Sequence, residues 1–181
     1  ITDSYLYKDL LSYQGIRKPE ILGKLLRALA FQVGSEVSYN ELSNLLQVDK
    51  NTISNYIDLL EKAYVIFKLQ PLCRNLRNEI STTRKIYFYD NGIRNSLINN
   101  INPLEFRNDC GVLWEDFLVS ERMKHNQYNS VYSNIYFWRT HQQKEIDFIE
   151  ERDGKFYAFE FKWNDKKKVS LPSIFAETYK N

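Results

Sequence analysis

Residues 144–164 read KEIDFIEERDGKFYAFEFKWN, and this stretch decides the fold of the second half of the chain. Asp153-Gly154 is the signature of a two-residue hairpin turn, which needs positive φ at both central positions. Aromatic and branched residues on either side predict strands over 145–151 and 155–163. Strand periodicity sends Glu160 and Lys162 to one face and Phe159, Phe161 and Trp163 to the other, and it puts Asp147 on one side with Glu145 and Ile149. Asp147 and Glu160 stand at equal distances from the turn, which predicts cross-strand neighbours about 5 Å apart at Cβ. Carboxylates that close repel unless a cation lies between them, and a hard divalent ion such as Mg²⁺ suits oxygen donors. Lys162 would then orient a water or stabilise charge building on a phosphate. The bland alternative is a solvated hairpin in which Glu160 simply pairs with Lys162.

Outward from the hairpin, GVLWEDFLVSERMK (111–124) predicts a helix and YSNIYFWRT (132–140) a strand. His141 to Lys144 turn the chain, and a helix follows Pro172. The order is helix, three strands, helix. Lys166-Lys167-Lys168 reads as a solvated loop that also lies where phosphates could be contacted. His125 and His141 have no ligand partner at metal-site spacing, so surface or hydrogen-bond-satisfied histidines are expected. The aromatic strands are expected to be core, since base stacking requires exposed rings.

The first half has a different texture. Tyr5 to Ser12 predicts a short amphipathic helix. Pro19 opens a second one, in which Ile21, Leu22, Leu25, Leu26, Leu29 and Ala30 repeat at helical spacing until Gly34. Ser38 with Glu41 forms a capping box for a helix to about Gln47. Asn51 or Asp49 caps the next helix, which runs to about Ala63 with Ile53, Tyr56, Ile57 and Leu60 inward. Strands over 65–69 and 85–89 flank a polar excursion at 74–83. Helix, helix, turn, helix, strand, wing, strand is the order of a winged helix. In that arrangement Lys50, Asn51, Ser54 and Asn55 face the major groove of DNA, and Arg74, Arg77, Arg84 and Lys85 grip phosphate. Asp58 and Glu61 would oppose such a contact, and winged helices also dock proteins.

An α+β chain of three parts is therefore expected: a helical winged-helix domain over 1–90, a connector over 91–110, and a second α/β domain over 111–181 with a three-stranded, truncated sheet. Net charge is only +2. The excess of Lys and Arg sits in residues 1–100, with 13 against 10 acids, while residues 101–181 carry 12 against 13. Two cysteines without zinc-like spacing predict buried, reduced thiols and a cytoplasmic setting. No apolar run reaches the roughly 18 residues of a membrane span. The chain opens on Ile1 and ends in an unfinished helical pattern, so a piece of a longer protein is expected.

Asp147 followed by Glu160-Phe161-Lys162 on adjacent strands after a helix resembles the PD-(D/E)XK nuclease superfamily. The resemblance implies roles for Glu115 (acid on the preceding helix), Asp147 (metal-bridging acid), Glu160 (metal acid) and Lys162 (catalytic lysine). Asp116 is the alternative to Glu115. The residue before Asp147 is Ile146, not the proline of the superfamily's name. Taken with SYLYKDLL, RKIYFYDNGIRN and GVLWEDFLVSERM, the whole chain resembles the C-terminal region of a family of prokaryotic AAA-type ATPases. That resemblance implies a parent chain with an N-terminal ATPase domain that would bind ATP. No glycine in these 181 residues begins a phosphate-binding G-x-x-x-x-G-K-[ST] loop. Two functions follow as expectations. The first is a DNA-interacting region with a Mg²⁺-dependent nuclease site. The second is a non-catalytic module that positions the parent ATPase on DNA or on a protein partner.

Overall fold

The computed structural model describes residues 18–73, 83–140, 142 and 144–179. The expected helix at 5–12, Arg74, Arg77, His141 and most of the wing lie outside the described residues. Contacts group the chain into two units. One takes the described residues through Lys68 and from Thr83 to Asn108, and the other takes Leu69 to Cys73 and those from Asp109 onward.

The first unit is built on α1 (Pro19–Phe31), β1 (Glu36–Ser38), α2 (Tyr39–Leu46), α3 (Lys50–Lys62), the start of β2 (Ile66–Pro71), β3 (Thr83–Phe88) and α4 (Asn91–Leu97). Proline stands in the first turn of α1, where its missing N–H costs nothing. Ser38 Oγ accepts the Glu41 N–H to cap α2, and Asp49 accepts Thr52 N–H at 2.9 Å to cap α3. Leu22, Leu25, Leu26, Leu29, Ile53, Ile57 and Leu60 are each fully buried. These are the positions the 3.6-residue period assigns to the core. Arg94 is buried and donates from Nε to the carbonyl of Ala30 at 3.1 Å, tying α4 to the end of α1. Strand β1 is an addition to the sequence reading. Its three residues, Glu-Val-Ser, show too little alternation to signal a strand, yet they pair antiparallel with β3.

The second unit comprises the end of β2, α5 (Cys110–Tyr128), β4 (Asn134–Arg139), β5 (Glu145–Arg152), β6 (Lys155–Phe159) and α6 (Ser173–Thr178). In hydrogen-bonded order the strands run β1-β3-β2-β4-β5-β6. A mixed α+β fold with six strands among the described residues thus replaces the three-stranded sheet expected. The reason lies in β2, whose last residues pair parallel with β4 at Gln70↔Tyr136 and Pro71↔Phe137. A parallel partner so distant in sequence leaves no local signature. Trp138, Ile146, Ile149, Phe175 and Tyr179 form a core cluster. The two cysteines form no disulfide and are half-buried rather than buried.

Asp153 (φ 52°) and Gly154 (φ 70°) turn the hairpin as the Asp-Gly pair predicts. No atom would crowd a Cβ at Gly154, so a substitution there tests backbone conformation alone. Gly154→Ala is expected to cost about 1–2 kcal/mol through left-handed strain, read as a lower urea midpoint with an unchanged m-value.

Candidate functional site: an acid pair and a lysine at a strand bulge

The hairpin register pairs Phe148↔Phe159, Ile149↔Ala158 and Glu150↔Tyr157. One step further along that ladder, Asp147 falls opposite Glu160. The other edge of β5 is irregular. From Tyr136↔Ile149 to Trp138↔Ile146, β4 advances two residues while β5 advances three. The extra residue is a β-bulge at Asp147-Phe148, a device that re-aims side chains and interrupts strict alternation. It lets Ile146 and Ile149 share one core cluster. Phe148 meets Phe159 edge-on at 6.0 Å.

Asp147 is 1% exposed, and its Oδ2 accepts the backbone N–H of Phe161 at 2.8 Å. With that N–H committed to a side chain, the strand ends at Phe159, short of the 163 expected. Lys162 Nζ forms an ion pair with Glu160 and stands 3.7 Å from Asp147 Oδ2. Asp147, Glu160 and Lys162 are therefore gathered at one place.

Burial pushes the Glu160 carboxyl above its ordinary range. The Lys162 hydrogen bond pulls it back, and the Asp147 charge raises it further. For Lys162 burial acts downward, but the hydrogen bond it donates to Glu160 and the charges of Asp147, Glu160 and Glu145 outweigh it, so the ammonium is raised. Burial is thus the main cause of the Glu160 shift, and the two carboxylates of Asp147 and Glu160 share one ammonium, that of Lys162. Mg²⁺ commonly keeps several waters and takes one or two carboxylates, which the pair of Asp147 and Glu160 matches. Among the described residues no group of three His, Cys, Asp or Glu is arranged to hold a metal. Glu115 therefore completes no three-acid cluster with the pair. On α5 Glu115 is half-buried while its neighbour Asp116 is fully buried, a distinction that helical phase alone leaves open.

A second polar cluster escaped the sequence reading. Glu150, 0% exposed, accepts from Arg122 Nε at 2.6 Å, from Arg122 Nη2 at 2.9 Å and from Asn126 Nδ2 at 2.7 Å. The Arg122 guanidinium also lies over the Phe159 ring, 4.6 Å from its centroid. Arg122 thus ties α5 to both arms of the hairpin, three residues after Asp147 and one before Glu160. The one local signal was an Arg-Asn pair at i,i+4, because Glu150 is one of four acids in the strand EIDFIEER and nothing in the sequence marks it as the buried one.

In the first unit, Lys50, Asn51 and Asn55 of α3 are exposed and Ser54 is half-buried. Asp58 and Glu61 both pair with Lys68, at 2.7 and 2.8 Å, which offsets the repulsion they would exert on a phosphate. Arg84 is half-buried and donates to the carbonyl of Thr83. Lys85 is only 3% exposed, and phosphate contact needs a surface cation, so burial removes it from the expected basic set.

Residues 1–104 match the family described as a domain of unknown function (DUF8612). The chain belongs to that family. Residues 110–181 of this DUF8612 chain match a second family, also described as a domain of unknown function (DUF4143). Uncharacterized proteins of Mycobacterium tuberculosis and Mycobacterium bovis are each 31% identical over 174 residues, 94% of this chain and 37% of their own length. An uncharacterized protein of Methanocaldococcus jannaschii is 35% identical over 96 residues, 53% of this chain and 20% of its own length. The DUF8612 chain thus spans little more than a third of the mycobacterial relatives and a fifth of the archaeal one. No solved structure matches it. No helix among the described residues is long and apolar enough to cross a membrane.

Proposed function

We propose that the second unit is a PD-(D/E)XK-like nuclease domain in which Asp147 and Glu160 hold Mg²⁺. The observation that carries this reading is the gathering of two acids and one lysine at a strand bulge. Bound there, the ion would supply Lewis-acid polarisation of a phosphodiester and an acidified water. Asp147 is held rigidly for the task by the Phe161 N–H. Lys162, once exchanged from Glu160 onto substrate, offsets charge on a non-bridging phosphate oxygen. The first unit is proposed to be a winged helix. Its order of helix, strand, helix, helix, strand, strand, with β1 laid against β3, supports that reading and a DNA-facing role for α3. We further propose that the chain is the C-terminal region of an AAA-type ATPase of the cytoplasm, the ATP site lying in the rest of the parent protein.

A specific observation favours a second reading. The Lys162 ammonium already neutralises Glu160, as it would in a fold that kept its shape and lost its chemistry. That unit would position a parent protein on DNA or on a protein partner. Cleavage of end-labelled DNA with and without Mn²⁺ separates the two. The nuclease reading expects Mn²⁺-dependent product from the native chain and a loss of at least 100-fold in rate for Lys162→Met, the scale seen when one oxyanion-stabilising group is removed. Equal rates for the native chain and the variant would leave the recognition reading.

A further inference from the structure

Trp163 directly follows Lys162, and 50% of its surface is exposed. A tryptophan this open is unusual, since large aromatic side chains are on average well buried. Its ring stands edge-on to Trp114 of α5, with centroids 5.7 Å apart and planes at 70°. Trp114 in turn stacks on Phe117 at 5.9 Å, and Phe117 is 43% exposed. The three rings make an aromatic ledge beside the acid pair, with Trp163 at its open end.

The loop beyond the ledge is basic and shaped. Asn164 accepts the Lys166 N–H on its side chain at 3.0 Å and the Lys167 N–H on its carbonyl at 3.1 Å. That turn presents Lys166, Lys167 and Lys168 to solvent, with Asp165 as the only acid among residues 162–168. An exposed indole followed by exposed cations on a hydrogen-bonded turn is the pairing that unpaired nucleic acid needs: a flat face for a base and charge for the phosphates on either side.

We propose that this ledge binds single-stranded nucleic acid, Trp163 stacking an unpaired base while Lys166, Lys167 and Lys168 hold the adjoining phosphates. Paired bases inside a duplex offer no open face to a ring, so the ledge selects strands with unpaired ends or gaps. As a substrate preference this rests on the nuclease reading of the neighbouring acids. As a binding site it does not, because no metal takes part.

The test is tryptophan fluorescence of the whole 181-residue chain in EDTA, titrated with oligothymidylate or with a duplex of the same length. All three tryptophans, at 114, 138 and 163, lie in the second unit, and the Trp163 variants show which part of the signal comes from the ledge. The single strand is expected to quench fluorescence at concentrations at least tenfold lower than the duplex. Trp163→Ala should weaken binding by roughly 5- to 150-fold, the range of one base–aromatic stack, and Trp163→Phe should keep most of it. Changing the three lysines to Gln should flatten the salt dependence by about two units of slope. No quenching, equal response to duplex, or unchanged affinity in Trp163→Ala would overturn the proposal. Because EDTA is present, such a failure leaves the metal site untested, and a failed metal site leaves the ledge standing.

Discussion

Arg122→Met is expected to destabilise the second unit by about 3–5 kcal/mol, the cost of leaving one member of a buried ion pair without its partner. Glu150 is 0% exposed and takes three of its hydrogen bonds from Arg122 and Asn126, so the variant strands a carboxylate in a place water does not reach. Methionine keeps much of the packing over Phe159, so what is lost is the guanidinium itself: its charge, its two hydrogen bonds to Glu150 and its cation–π contact. Urea denaturation at pH 7 reads the effect. The double variant Arg122→Met, Glu150→Leu should recover at least half of it, because a hydrophobic replacement removes both charges together. The pH dependence follows from the same pair. Burial raises the Glu150 carboxyl, but Arg122 and Asn126 outweigh it and hold it below the ordinary range. A depressed folded value gives stability that is fully present above the unfolded carboxylate pKa of about 4.3 and is lost as pH falls through the folded value. The native chain should therefore lose this contribution only in acid, and Arg122→Met should already lack it at neutral pH.

The second large effect separates structure from chemistry at Asp147. Asp147→Ala removes the acceptor of the Phe161 N–H and should cost about 1–3 kcal/mol of stability, the penalty for a donor left unsatisfied. Asp147→Asn keeps an oxygen in the same place and should fold within about 1 kcal/mol of the native chain. Both should lose divalent-ion affinity by about 100-fold or more, since even outer-shell partners of a metal cost 10–100-fold. If Asn retained the metal while Ala lost it, the carboxylate's role would be structural rather than ligating.

Much of this arrangement was legible beforehand, for local reasons. Asp153-Gly154 can hardly be anything but a tight turn, and once the turn is placed the register of Asp147 with Glu160 follows by counting. The caps at Ser38 and Asp49 and the leucine period of α1 are equally local. What sequence could not show was non-local. β1 is three residues long and exists because β3 lies beside it. The pairing of β2 with β4 joins residues 66 positions apart, Gln70 with Tyr136 and Pro71 with Phe137. The bulge at Asp147-Phe148 is set by β4, not by β5's own pattern. Lys85 reads as a surface cation by residue type and is buried by context. Trp163 sits on a face that alternation assigns to the core, and it is open because the strand ends at Phe159, four residues before it.

Whether Asp147 and Glu160 form one cation site is decided by calorimetric titration of Mn²⁺. Into the native chain, one equivalent should bind, with affinity rising as pH rises through the Glu160 titration. Into Asp147→Asn, Glu160→Gln, which keeps the hydrogen-bonding oxygens and removes the charge, no binding should be seen. No heat in either titration, or the same binding in both, would mean that the two carboxylates form no cation site.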